Sequence, residues 1–252
     1  MSYESLSLRD RVCLVTGTAS GIGRELSVLL ADRGATIVGA DLSGLSVPEF
    51  QKKLGNRGSV SYVQTDVADL ESVKKLVATA TDDFGRIDVL VNCAGVSSLS
   101  RIDEITPDEW DKVLGVNLKG VFLACQQTLV GMVERGRGTI VNISSASAKI
   151  GGVAVGAHYA ASKAGVITLT KSLALYGAPH GITVNCVCPG PTETPLTDAW
   201  GEELNIEFAK KIPLKRYGTA LEVAEAVAFL ASDAARYITG ETVDVNGGLV
   251  MD

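Results

Sequence analysis

Tyr159 and Lys163, four residues apart in AHYAASKAGVITLTKSLAL, put a phenol and an ammonium on one face of a predicted helix. A phenol with a pKa near 10 is a poor base at neutral pH, but a cation within a few ångströms favours the phenolate and lowers that value by roughly 1 to 3 units. Such a pair can handle the hydroxyl proton of a secondary alcohol while hydride passes to or from a nicotinamide. The same chemistry needs a hydroxyl beside the substrate oxygen, and the run GTIVNISSASA offers Ser144, Ser145 and Ser147. A second cluster, Gly17-Thr18-Ala19-Ser20-Gly21-Ile22-Gly23, follows a β-branched run and opens a helix, where backbone amides can approach a pyrophosphate. Its spacing is G-x-x-x-G-x-G instead of G-x-G-x-x-G. Asp41 ends the next β-branched run, about twenty residues beyond the loop, placed to accept hydrogen bonds from both adenosine-ribose hydroxyls. A 2′-phosphate there would meet like charge, and neighbouring Ser20 and Leu42 bring no guanidinium to offset it. NAD is the expected cofactor.

Positioning these groups takes a repeated strand–helix unit. Seven short runs read as strands: RVCLVTG, ATIVGAD, VSYVQTD, IDVLVNCAG, GTIVNIS, GITVNCV and ETVDVNG. Several are nearly continuous in apolar residues, the pattern of strands covered on both faces. Segments such as Arg24 to Gly34 and Leu70 to Gly85 carry apolar residues at helical spacing and end on glycine. The expected class is α/β: a doubly wound, mostly parallel seven-stranded Rossmann-type sheet with helices on both faces and ligands at the carboxyl ends of the strands. No linker breaks the pattern, so residues 1–252 are expected to form one domain. The stretch 191–216, mixed in charge and aromatic content, reads as a substrate lid.

In order along the chain stand TGTASGIG, Asp66-Val67, Asn92-Cys93-Ala94-Gly95, Asn117, Tyr159-x-x-x-Lys163 and Pro189-Gly190. On these motifs the sequence resembles the short-chain dehydrogenase/reductase superfamily, in its shorter single-domain branch, over essentially its whole length. The resemblance implies that Asp66 and Val67 flank the adenine. It also implies that Asn92, Ala94 and Gly95 line the cofactor near the nicotinamide ribose, and that Thr192 and Thr194 secure the nicotinamide end. Asn117 matches the family's helix-interrupting asparagine, which positions a water against the lysine. Two departures stand out. The family's Asn-Asn-Ala-Gly is Asn-Cys-Ala-Gly here, with Cys93 expected to fill an apolar strand position. The family's serine lies thirteen residues before the tyrosine, which is Ala146 here; alignment on the strand selects Ser145, with one extra residue in the following loop and with Ser144 and Ser147 as alternatives. A homotetramer is also implied.

Composition narrows the function classes. The formal charge is −6, with acidic and basic residues dispersed, so there is no electrostatic footprint for nucleic acid. No apolar run approaches the ~20 residues of a membrane span and the first residues lack a signal-peptide pattern, so a cytoplasmic protein with no membrane partner is expected. The five cysteines lie in apolar runs and read as free thiols, and Cys186-x-Cys188 lacks a second ligand pair, so no metal is expected. His158 and His180 receive no role; His158 reads equally as a solvated helix residue. The expected function is an NAD-dependent oxidoreductase interconverting a small secondary alcohol and its ketone. The alternatives are a 3-oxoacyl-carrier-protein reductase and, outside enzymes, a dinucleotide-binding regulator, which would need only the glycine loop and Asp41.

Overall fold

The computed structural model describes residues 3–152, 155–198 and 200–251. Its strands are β1 (Val12–Thr16), β2 (Thr36–Asp41), β3 (Val60–Gln64), β4 (Val89–Asn92), β5 (Gly138–Ile143), β6 (Ile182–Pro189), β7 (Thr192–Glu193), β8 (Gly218–Thr219) and β9 (Thr242–Val245). Its helices are α1 (Gly21–Asp32), α2 (Val47–Lys53), α3 (Leu70–Phe84), α4 (Pro107–Leu114), α5 (Gly120–Arg135), α6 (Ser147–Ile150), α7 (Ala157–Gly177), α8 (Pro195–Asp198), α9 (Glu202–Lys211) and α10 (Ala220–Ala231).

Seven strands form one parallel sheet in the order β3-β2-β1-β4-β5-β6-β9, and all seven coincide with the β-branched runs of the sequence. Alternate side chains leave each strand on opposite faces. In β1, Val12 and Leu14 enter one core with residues of α3, α5 and α7, while Cys13 and Val15 enter the other with residues of α1 and α10. Burial on both faces explains why the runs are continuously apolar and not alternating. Strand order reverses between β1 and β4, so the loops leaving these two strands open a crevice at the carboxyl edge of the sheet.

Local chemistry fixes the helix boundaries. Asp69 caps α3 by accepting from the Ser72 amide, and Gly85, at φ 77°, ends it in the left-handed region. Ser46 and Thr219 begin α2 and α10 with capping boxes. Between α4 and α5 a π-helical turn (Gly115–Lys119) keeps the axis continuous while the Gly120 amide bonds back five residues to Gly115. The whole stretch Pro107–Arg135 is long and apolar enough to span a bilayer by length and composition, contrary to the sequence reading. Half of its most apolar window is buried, as in the core helix of a globular protein.

Candidate active site

The crevice is a continuous cleft of about 560 Å³ along the carboxyl ends of the strands. Its nucleotide half begins at the loop between β1 and α1. Ser20 precedes α1 in extended conformation, and its side chain makes no cap hydrogen bond. The helix N-terminus is thus left to backbone amides. Glycine is required here by close approach: a Cβ on Gly23 would stand 2.1 Å from the Gly17 carbonyl oxygen, and one on Gly17, at φ 76°, would stand 2.8 Å from the Ala94 nitrogen. Gly17, Ser20, Gly21, Ile22 and Gly23 all line the cleft. At the end of β2 the Asp41 carboxylate accepts from the Ala19 and Ser43 amides at 3.0 Å each, which ties it to the glycine loop. Leu42 beside it is exposed, and Asp66 and Val67 close this end of the cleft. The side-chain-free glycine cradle, open helix N-terminus and carboxylate at the end of β2 fit a nicotinamide dinucleotide.

At the other end, β5 delivers Ser144 and Ser145, and the first turns of α7 deliver Tyr159 and Lys163. The Ser145 hydroxyl is a hydrogen-bond partner of the Tyr159 phenol, pulling its pKa down against a larger upward push from burial. Lys163 Nζ donates to the Ile143 carbonyl at 2.9 Å and sits 5.8 Å from the centroid of the Tyr159 ring, with burial lowering its pKa. The lowered phenol pKa expected from the neighbouring ammonium is therefore corrected: burial raises the Tyr159 value on balance, and Ser145 supplies the opposing effect. Ser144 donates from Oγ to the Lys163 carbonyl at 2.7 Å, bracing α7, and Ser147 opens α6.

Asn117 sits inside the π-helical turn, fully buried. Its amide donates to the Val96 carbonyl at 2.9 Å and to Ser162 Oγ at 3.1 Å, and its Oδ1 accepts from the Val96 amide at 2.9 Å. A Cβ on Gly95 would meet both Asn117 Oδ1 and Lys163 Nζ at 3.4 Å, so the asparagine, the lysine and the chain after β4 converge.

The structure brings Ala94, Gly95, Thr192 and Thr194 to the same cleft. Asn92 is the exception. It is buried beneath the floor, donating to Asn142 Oδ1 at 2.8 Å, and does not line the cleft. Asn142 continues to Thr170 Oγ1 at 2.9 Å, so Asn92 begins a polar chain inside the core. Cys93, expected within a strand, lies one residue beyond β4 and lines the cleft, with burial pushing its thiol up to about 12. His158, read equally as solvated, has a fully buried side chain. The sequence reading did not single out Val96, Ile150 and Val155, which form a wall of the cleft with Leu196, Trp200 and Phe208 of the expected lid. Val96 follows β4, and the others come from short or irregular elements in and around α6, α8 and α9, with no periodicity to mark them. Within the expected lid 191–216, Ala199 lies outside the described residues.

Residues 17–250 match the family model described as enoyl-(acyl carrier protein) reductase. The 3-oxoacyl-[acyl-carrier-protein] reductase FabG of Thermotoga maritima is 40% identical over 98% of this chain and 100% of its own. The chain belongs to the short-chain dehydrogenase/reductase family. A second relative of this family, the (3R)-3-hydroxyacyl-CoA dehydrogenase of Rattus norvegicus, is 41% identical over 98% of this chain and 99% of its own. Among solved structures, levodione reductase superposes with a TM-score of 0.90 at 36% identity, covering 95% of this chain and 97% of that one. The short-chain dehydrogenase/reductase assignment makes the protein an oxidoreductase and sets aside the regulator alternative as the general class.

Proposed function

We propose that this oxidoreductase interconverts a 3-oxoacyl thioester and the corresponding 3-hydroxyacyl thioester with NAD(H). The observation that carries the reaction type is the Ser145 hydroxyl against the Tyr159 phenol, with Lys163 one helical turn away, at the end of a cleft that fits a dinucleotide. For the substrate, the names of the two relatives favour an acyl thioester over the small free alcohol expected from sequence. The wall agrees: Val96, Ile150, Val155 and Leu196 suit an acyl chain better than a polyol, whose hydroxyls would be stripped of water without partners.

When bound, the dinucleotide supplies or accepts the hydride at the carbon bearing the reacting oxygen. In the reductive direction Ser145 donates a hydrogen bond to the substrate carbonyl oxygen, and Tyr159 transfers its phenolic proton to that oxygen as negative charge develops. Burial, which holds the phenol protonated, suits Tyr159 to the role of acid. Lys163 offsets the charge left on the phenolate, and Asn117 fixes the chain through Val96 that forms the adjacent wall. Asp41 would accept from the ribose hydroxyls and would disfavour a 2′-phosphate, which supports NAD(H) over NADP(H).

The test is reduction of acetoacetyl-CoA and of an acetoacetyl carrier protein, each with NADH and NADPH, beside oxidation of a panel of polyols, sugar derivatives and hydroxy acids with NAD. Turnover of either thioester with NADH, reduced at least ~100-fold in Tyr159→Phe, is the expected result. Efficient oxidation of a free alcohol without thioester turnover would return the assignment to a small-molecule dehydrogenase. A preference for NADPH would overturn the role given to Asp41.

A further inference from the structure

Tyr159 is only the third residue of α7, and the start of that helix is unusual. Gly156, its N-cap, offers no side-chain cap, and the first turn contains no acidic residue. Helix first turns leave amides unsatisfied and fray unless capped or anchored. A capping side chain is sterically excluded here: a Cβ on Gly156 would stand 2.3 Å from Cε1 and 2.5 Å from Nδ1 of His158. The imidazole occupies the space that a serine or aspartate cap would use.

That imidazole is completely buried, and its Nε2 approaches Glu109 Oε1 of α4 at 3.3 Å without completing a hydrogen bond, while Nδ1 has no hydrogen-bond partner. The Glu109 carboxylate is itself fixed. Oε1 accepts from Ser100 Oγ at 2.7 Å, Ser100 and Ser98 hydroxyls are 2.8 Å apart, and the Ser98 carbonyl accepts from the Gly156 amide at 2.7 Å. Trp110, next to Glu109, stacks on the imidazole at 6.4 Å and 19°. Hydrogen bonds from Ser98 and Ser100 hold Glu109 below the usual carboxylate range, so it faces His158 as an anion. The ring and the carboxylate thus join α4, the chain from Val96 to Ser100 and the first turn of α7 around the residue that follows His158.

We infer that His158 and Glu109 are positioning residues, a latch that replaces the missing cap of α7 and holds the Tyr159 phenol in register with Ser145. Neither touches the substrate; both act through Tyr159. The inference rests on the acid role proposed for Tyr159, since a fixed phenol matters only if its proton is used.

Three variants test it together with Tyr159→Phe: His158→Leu, which keeps bulk but removes the polar ring nitrogens; His158→Gln, which restores a polar group toward Glu109; and Glu109→Leu, changed from the partly exposed side of the pair. With acetoacetyl-CoA and NADH, His158→Leu and Glu109→Leu should each lose about 10- to 100-fold in kcat, the scale of a displaced catalytic group, with KM and the NADH Kd within about twofold of the parent. The double variant should be no worse than either single one, because both remove one contact. His158→Gln should recover most of the loss.

Amide exchange across residues 155–162, measured by mass spectrometry and needing no substrate, should accelerate in both leucine variants and not in His158→Gln. Unchanged exchange, an equal loss in His158→Gln and His158→Leu, or a loss confined to KM would each overturn the latch. An active Tyr159→Phe would instead remove the mechanism on which it rests. If His158→Leu does not fold, Glu109→Leu and His158→Gln carry the same comparison.

Discussion

Ser145 and Ser147 are two residues apart and both line the cleft, yet only Ser145 reaches the Tyr159 phenol. The Ser147 amide instead donates to Ser145 Oγ at 3.1 Å, which orients the inner hydroxyl. Ser145→Ala should therefore cost two or more orders of magnitude in kcat by analogy with the loss of an oxyanion donor, and Ser147→Ala should cost less than about tenfold. Steady-state kinetics of the two variants decides between them; a larger loss in Ser147→Ala would move the site along the loop. Asp41 is the other single residue with a separable effect. Its replacement by serine removes an anion and a ribose acceptor together, so the ratio of kcat/KM for NADPH to that for NADH should rise while NADH binding weakens. No change in that ratio would show that cofactor choice is made elsewhere.

The elements explain what could be read from sequence and what could not. Seven strands, α1 and α3 were legible because burial on two faces, helical spacing and terminal glycines each leave a pattern in the residues themselves. The register that sends Asn92 under the sheet to Asn142 left none, since residues one apart on the same motif face opposite ways. Nor did the two-stranded pair of β7 and β8, which joins Thr192–Glu193 to Gly218–Thr219 and carries no periodic signal over two residues each. Only the family resemblance marked Asn117 as a helix-interrupting residue, and the use of its side chain to hold Val96 depends on a partner twenty-one positions away. One prediction belongs to this scale. Helix α1 can reach the glycine loop only because Gly23 has no side chain, its Cβ position being 2.1 Å from backbone oxygen that cannot swing aside. Gly23→Ala should displace the helix N-terminus from the loop and weaken NADH binding at least tenfold in a protein that still folds, measured by fluorescence titration and circular dichroism. Normal affinity would mean that the loop yields without consequence for the dinucleotide.

At the scale of the whole molecule, two surfaces bear on the homotetramer that we propose as the working assembly. Along α5, Phe122, Gln126 and Val130 recur every four residues on one exposed, uncharged stripe, beside α7 with which α5 packs. Elsewhere β9 ends the sheet with all four residues partly exposed; Leu221 and Phe229 of α10, which packs against β9, and a fully exposed Tyr237 add apolar surface. An uncovered sheet edge and an apolar helix stripe are each costly to leave in water and each suited to a twofold contact. Two distinct twofold faces on one chain generate a closed tetramer, whereas one face would stop at a dimer. Sedimentation equilibrium should accordingly give four chains for the parent. Val130→Glu, which puts a charge into the α5 stripe without touching the cleft, should leave a dimer held through the β9 face, and Tyr237→Glu with Phe229→Glu should leave the complementary dimer. Each dimer should bind NADH with parental affinity, since the glycine loop and Asp41 lie within a single chain. A monomeric parent at micromolar concentration would refute the assembly, and a tetramer unaffected by either charge would place its contacts on other surfaces.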